Sequence, residues 1–389
     1  MKKTKVFLSA LLMAAVFSFT ACSNPSSGSG NSGGDSTPAS PAEPTYSVTI
    51  EASTNGTVTA SKTSGIAAGE TITLTVTPAV TEDTDYKLRT LSVKNGSADV
   101  TVTNNTFTMP SGNVIVTATF EAIVYYGTKK PSKAKEVGDI VFNDGSATPY
   151  SAFTTENPIT DAQKVAAIAI IFYKGTDLNS DVYGEDGDGN VVWTSGSTTT
   201  SRTLGVGLKH YRINPGIAWC TNDAKAYKKD ISTIQCITSG NAGALEFEGD
   251  KNGSDNLEQI KNVNGVDDTS SSTKYPAFYF AKNYKEEKIG SETVSRILSG
   301  SEYESGWYLP SIAELFQIWA CRSSTQNTFD VDAVSELCGG NKFETEWYWS
   351  SSQWDFHEKD AYELCFDDGD WSANVKDTQL YVCCIREFN

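Results

Sequence analysis

Apolar and polar positions alternate with different periods along this chain, and the changes of period divide it. Residues Val6 to Phe19 form an apolar run broken only by Ser9 and Ser18, behind Lys2, Lys3 and Lys5. The run is shorter than the roughly 20 apolar residues that span a bilayer. Residues 23–44 are almost all Ser, Gly, Pro, Asn, Ala and Thr, with only Asp35 and Glu43 charged. Such a stretch buries no apolar surface and predicts a disordered tether. From Tyr46 a period of two sets in. Tyr46, Val48 and Ile50 alternate with polar residues, as do Ile72, Leu74 and Val76 among threonines, and Val114, Val116, Ala118 and Phe120 close the region. Turn signals at Asn55-Gly56, Asn95-Gly96 and Ser111-Gly112-Asn113 separate the runs, so residues 45–121 read as a small all-β domain.

Residues 122–136 carry Lys129, Lys130, Lys133 and Lys135 beside Pro131 and read as a solvated linker. The large domain, 137–389, mixes periods. "VGDIVFNDGS" predicts a strand and a turn, and the continuous apolar run 165–175 a fully buried strand. A polar hairpin follows between Asp181 and Trp193, then short strands in "LGVGLKHY" and "GIAWCT". Helices are expected near Asn256–Asn262, in 275–285, and after Ser311, whose Glu314 three residues on completes a capping box. The tail after Phe343 alternates strands with polar, aromatic loops. Helices between antiparallel strand groups predict an α+β domain, and the whole chain a multidomain architecture.

Charge narrows the function classes. Without the basic, apolar first 21 residues the chain loses three of its 31 Lys+Arg and none of its 48 Asp+Glu, which leaves a net charge of −20 with His neutral. A body this acidic repels phosphate backbones, so no nucleic-acid partner is expected. Seven cysteines follow Cys22, at 220, 236, 321, 338, 365, 383 and 384, without a CxxC or metal-finger spacing. Buried thiols or one disulfide are expected, with at most one of Cys383 and Cys384 facing the core, because neighbours on a strand point to opposite faces.

A basic start, a short apolar run and small residues at its end mark an export leader. Its end, Phe19-Thr20-Ala21-Cys22, resembles the lipobox of bacterial lipoproteins, with Phe19 in place of the usual Leu. The resemblance implies a leader over 1–22, lipidation of Cys22 and a membrane partner through the lipid. The location would be the bacterial envelope, at the outer membrane or cell surface; cleavage after Ala21 without lipid is the alternative. The series "YSVTIEASTNGTVTAS", "AAGETITLTVTP" and "FTMPSGNVIVTATF" resembles the divergent internalin-type B-repeat of bacterial surface proteins, which implies a spacer or stalk.

Gly306-Trp307-Tyr308-Leu309-Pro310-Ser311 with Glu314-Leu315, then Trp349-Ser350-Ser351, then Cys384-Ile385-Arg386, resembles the C-terminal domain of bacterial collagen-like adhesins. That family has C-type-lectin-like folds, near formylglycine-generating and retroelement-diversified domains. Tyr308 stands where its pattern has Arg. The resemblance implies a C-type-lectin-like recognition domain with Leu309, Trp349 and Ile385 as framework. The calcium-dependent sugar motifs of such lectins are absent, as is the reactive cysteine pair of formylglycine generation. The segment between Ser352 and Leu380 is compatible with the adenine-directed diversification of such proteins, except that Trp354, Glu358 and Lys359 are not reachable from an AAC codon.

The remaining motifs weigh little. Glu185-Asp186-Gly187-Asp188-Gly189-Asn190 begins like a calcium loop but lacks its later ligands, so it reads as a hairpin turn. His210 and His357 are isolated, and no nucleophile or phosphate-loop motif occurs. No metal or cofactor is implied, and no enzyme activity is expected. Recognition is left to Trp354, Phe356, His357, Asp360, Asp367, Asp368, Asp370, Trp371, Asn374 and Asp377, which mix rigid aromatic area with short polar groups. The expected function is binding of a surface protein or glycan. A structural envelope lipoprotein and an enzyme on the formylglycine-generating scaffold are the alternatives.

Overall fold

In the N-terminal β domain, alternation converts into buried and exposed rows: Ile72 and Leu74 are buried in Thr71–Pro78, while Thr71, Thr73 and Thr75 face water. The computed structural model describes residues 43–388 apart from 189–190, 264, 266–267, 285–287, 290–291, 294–297, 299 and 323–328. The leader, Cys22 and nearly all of the tether lie outside the described residues.

The chain divides into two units. Of the described residues, one holds those up to 50 with 60–74 and 93–116; the other holds 51–59, 75–92 and those from 117 on. In the first, Val48–Ile50 runs parallel to residues 114–116, and Thr71–Thr73 pairs antiparallel with Thr106–Thr108. Val48, Ile66, Ile72, Leu74, Val93, Phe107, Met109, Val114 and Val116 are buried in this unit. Asn104 and Asn105 both take positive φ, 49° and 59°, between mutually bonded Thr103 and Thr106. Two consecutive left-handed residues make the tight hairpin turn that suits strand twist, and Asn tolerates that conformation.

The second unit is organised by a six-stranded antiparallel sheet. Its order is Ala147–Pro149, Asp139–Phe142, Ala167–Gly175, Arg202–Gly207, Ile385–Glu387 and Trp307–Tyr308. The expected buried strand is the third of these. It begins two residues later than the apolar run because Asp161–Ala166 is a helix, α1, closed by a Thr160/Gln163 capping box. The other described α-helices are α2, Asn256–Asn262; α3, Pro276–Lys282; α4, Ile312–Ala320; and α5, Val331–Leu337. All are short, so the domain is mostly β. Ile140, Phe142, Ile170 and Phe172 pack with Ile312 and Leu315 of α4 on one side. Val141, Ile168 and Ile171 pack with Trp219 and Phe280 on the other.

A sheet covered on both faces changes the cysteine expectation. Cys383 and Cys384 are both fully buried, one in each core cluster. None of the seven described cysteines is in a disulfide. The lysines of 122–136 also differ from a solvated linker, for Lys130 and Lys135 are buried. Lys129 trades two backbone hydrogen bonds with Ala147 and reaches Asp139 at 2.6 Å with its Nζ. The backbone at 129 thus continues the sheet edge, and its side chain neutralises a buried carboxylate.

Leu309, Trp349 and Ile385 are buried, as framework residues should be. Ser311 caps α4, and its partner Glu314 is fully buried. Glu314 accepts from Arg202 at 2.7 Å, from the Tyr308 hydroxyl at 3.0 Å, and from the Gly253 and Ser311 N–H groups at 3.1 and 2.9 Å. One carboxylate thereby ties the second-edge strand, α4 and the 250s turn to the central sheet.

Candidate functional site

The candidate residues are carried by a three-stranded antiparallel sheet of Trp347–Gln353, Asp360–Cys365 and Trp371–Val375. Tyr348, Tyr362 and Leu364 pack its inner face onto the core. Two turns and the chain leaving Val375 present the candidates. Because the strands are antiparallel, these segments alternate between the two ends of the sheet. Trp354, Phe356, His357, Asp360, Asn374 and Asp377 gather at one end; Asp367, Asp368, Asp370 and Trp371 lie at the other. The central strand between them has six residues, or about 17 Å at roughly 3.4 Å per step. The ten therefore form two groups rather than one.

At the first end, residues 354–359 close a turn. The Trp354 N–H donates to the Asp360 carbonyl, and the Asp360 N–H to the His357 carbonyl, both at 3.1 Å. His357 Nδ1 stands 3.3 Å from Asp360 Oδ2. Trp354 is half-buried against the core, and the Phe356 ring packs 5.5 Å from it while remaining 78% exposed. Asp377 accepts from the Tyr227 hydroxyl at 3.2 Å.

Lys376, absent from the sequence-based candidates, holds this end together. It is fully buried and donates to the carbonyls of Glu358 at 2.7 Å and Ala226 at 3.1 Å, with its Nζ 4.8 Å over the Trp219 ring. Burial lowers its pKa to about 8. Carbonyl dipoles and an aromatic face take the place of a carboxylate partner here. Only its position next to exposed Val375 could have signalled this, and a lone lysine in a loop ordinarily reads as solvated.

At the second end, the turn after Cys365 is built by Asp368, which accepts from the Asp370 N–H at 3.1 Å, and by Gly369 at φ 73°. A side chain at Gly369 would collide with Trp319. Trp371 is half-buried, 5.6 Å from the Tyr362 ring. Asp370 and Asn374 each accept the N–H of the following residue, Trp371 and Val375, at 2.9 Å. Asp370 is thereby engaged with its own strand, while Asn374 also bonds Glu363 on the central strand and accepts from the Thr378 hydroxyl at 3.0 Å.

Buried titratable groups also lie away from these ends. Glu363, on the central strand, is 4% exposed with Oε2 unpartnered, and burial raises its pKa to about 7. Burial likewise raises Asp250 to about 7, although Ser180 donates to it at 2.5 Å. The His210 ring lies 4.0 Å from that of Phe343, tilted by 33°, and burial lowers its pKa to about 3, so it is a neutral core residue. Among the described residues no group of three or more His, Cys, Asp or Glu could hold a metal ion.

Residues 46–124 match the family model described as the Divergent InlB B-repeat domain. The chain is thus a B-repeat followed by a further, mostly β domain. No curated protein matches it. Among solved structures, a fimbrial protein from Bacteroides ovatus ATCC 8483 is 14% identical, with a TM-score of 0.40, over 88% of this chain and 69% of that one.

Proposed function

We propose that this chain is a surface-exposed envelope lipoprotein, anchored through Cys22, in which the B-repeat is a stalk. In this reading the C-terminal domain is C-type-lectin-like and binds a surface protein or glycan through the turn 354–359. The assignment rests chiefly on Phe356: a large apolar ring, 78% exposed, on a turn that Trp354 backs and buried Lys376 fixes. Exposing such a ring on a pre-ordered turn suits a contact whose entropy cost is met before binding. The B-repeat match supports surface placement. For the lectin-like class, support comes from the pairing of Trp307 with Arg386 and Tyr308 with Ile385, which sets two separate pieces of the resembled pattern side by side. Where that pattern has Arg at 308, Tyr308 instead accepts from Arg202 at 2.8 Å, so a guanidinium still reaches Glu314.

The test is an array of surface proteins and glycans probed with the mature chain and with Phe356→Ala. Binding by the wild type that falls at least tenfold in the variant supports the reading. Equal binding by both removes Phe356, and with it the proposed site.

A further inference from the structure

Beyond the two ends, a groove of about 220 Å³ is lined by Asn214, Pro215, Glu346, Trp347, Gln379, Leu380 and Tyr381. Its walls are held by backbone. Ile217 and Ala218 pair with Leu380 and Gln379, and Tyr381 donates to the Trp347 carbonyl at 3.2 Å. Gly216, at φ 103°, lets the 213–216 turn lie so close to Leu380 that any side chain there would strike its backbone. The Tyr381 ring is set edge-on to Tyr348 at 5.7 Å.

The lining residues pair two half-buried aromatics, Trp347 and Tyr381, with two amides and one carboxylate. The side chains of Asn214, Glu346 and Gln379 make no hydrogen bond or ion pair with the described protein, although each can make several. A pyranose ring has the complementary surface. Its C–H face is apolar and packs on an aromatic ring, and its neighbouring hydroxyls each donate and accept, as planar amides and carboxylates require. The groove is smaller than the ~300–1,000 Å³ of drug-sized sites, which matches one sugar ring better than a peptide anchor. Glu346 is its only charged lining residue, and a carboxylate there repels uronates and sulfated sugars.

We infer that this groove is a subsite for one neutral pyranose ring, with Trp347 and Tyr381 as the stacking surface and Asn214, Glu346 and Gln379 as hydroxyl partners. The inference rests on the glycan branch of the function proposed above and places a contact away from the turn 354–359.

Saturation-transfer NMR on the mature chain tests it, with the methyl glycosides of glucose, galactose, mannose and N-acetylglucosamine as probes and glucuronic acid as the anionic control. At least one neutral glycoside should show transfer, and glucuronic acid none. Gln379→Ala and Glu346→Ala, both at exposed positions, should reduce that transfer at least fivefold with an unchanged unfolding midpoint. Trp347→Phe should keep part of it, and Phe356→Ala all of it. Absence of transfer from every neutral glycoside, equal transfer from glucuronic acid, or full transfer in Gln379→Ala overturns the inference. Transfer lost in Phe356→Ala but kept in Gln379→Ala also overturns it while supporting the turn 354–359. Array binding that depends on Phe356 reports on the turn whatever the groove does.

Discussion

Replacing Glu363 by Gln should change how stability depends on pH, with the sign and size set by burial. Folded, this carboxyl ionises near pH 7; an exposed one does so near 4.5. Below pH 4.5 both states carry the proton and the site contributes no pH dependence. As pH rises toward 7, the unfolded chain releases the proton and the folded one keeps it, so folding loses about 1.4 kcal/mol per pH step. The loss totals about 3 kcal/mol and levels off above pH 7. Gln cannot ionise, so the variant should escape the loss. A buried amide with an unmet donor carries its own cost of ~1–3 kcal/mol, which does not vary with pH. The informative quantity is therefore the change in the difference between wild type and variant from pH 4.5 to pH 8. Urea unfolding followed by tryptophan fluorescence measures it by linear extrapolation. The variant should gain about 3 kcal/mol on the wild type across that interval. A difference that is the same at both ends would show that Glu363 is ionised in the folded protein, and the burial argument would fail.

Other substitutions test separate parts of the account. Arg202→Met leaves the Glu314 carboxylate buried beside only neutral donors and should cost ~3–5 kcal/mol, part of which Arg202→Met/Glu314→Gln restores; a loss under 1 kcal/mol in denaturant would contradict this. Asp370 and Lys376 bond inward to Cys365 and Lys359, so Trp371 and Val375 point their N–H groups outward, where Asp370 and Asn374 cap them. Removing both caps in Asp370→Ala/Asn374→Ala should expose an edge that pairs with another copy, raising the mass measured by light scattering; a mass that stays that of the wild type refutes the capping role. Cys22→Ala should move the exported protein from the detergent phase to the aqueous phase, and unchanged partitioning would rule out the lipid anchor.

Much of the fold is written locally. Ser311 and Glu314 announce α4 through three-residue spacing, and α2 lies over 256–262 as expected. The Thr160/Gln163 box is equally local, but the apolar run from Val165 conceals it, because the end of α1 and the buried strand share one hydrophobic stretch. What the sequence hides depends on pairing. Trp354 and Trp371 are seventeen positions apart in one polar, aromatic segment, and only the antiparallel register sends them to opposite ends of the sheet. Burial of Lys376 likewise needs carbonyls from residues 226 and 358, which no window around it contains. Cys383 and Cys384 obey strand alternation, yet both are buried because helices and loops cover both faces of the sheet.

The central claim, recognition through the turn 354–359, is tested most directly by surface plasmon resonance. Mature wild type and Phe356→Ala would be compared against a protein or glycan that the wild type binds. At 78% exposure Phe356 adds little to folding, so the unfolding midpoint should hold. The dissociation constant should rise at least tenfold, the factor that corresponds to about 1.4 kcal/mol. Equal dissociation constants for two equally folded proteins would contradict the account.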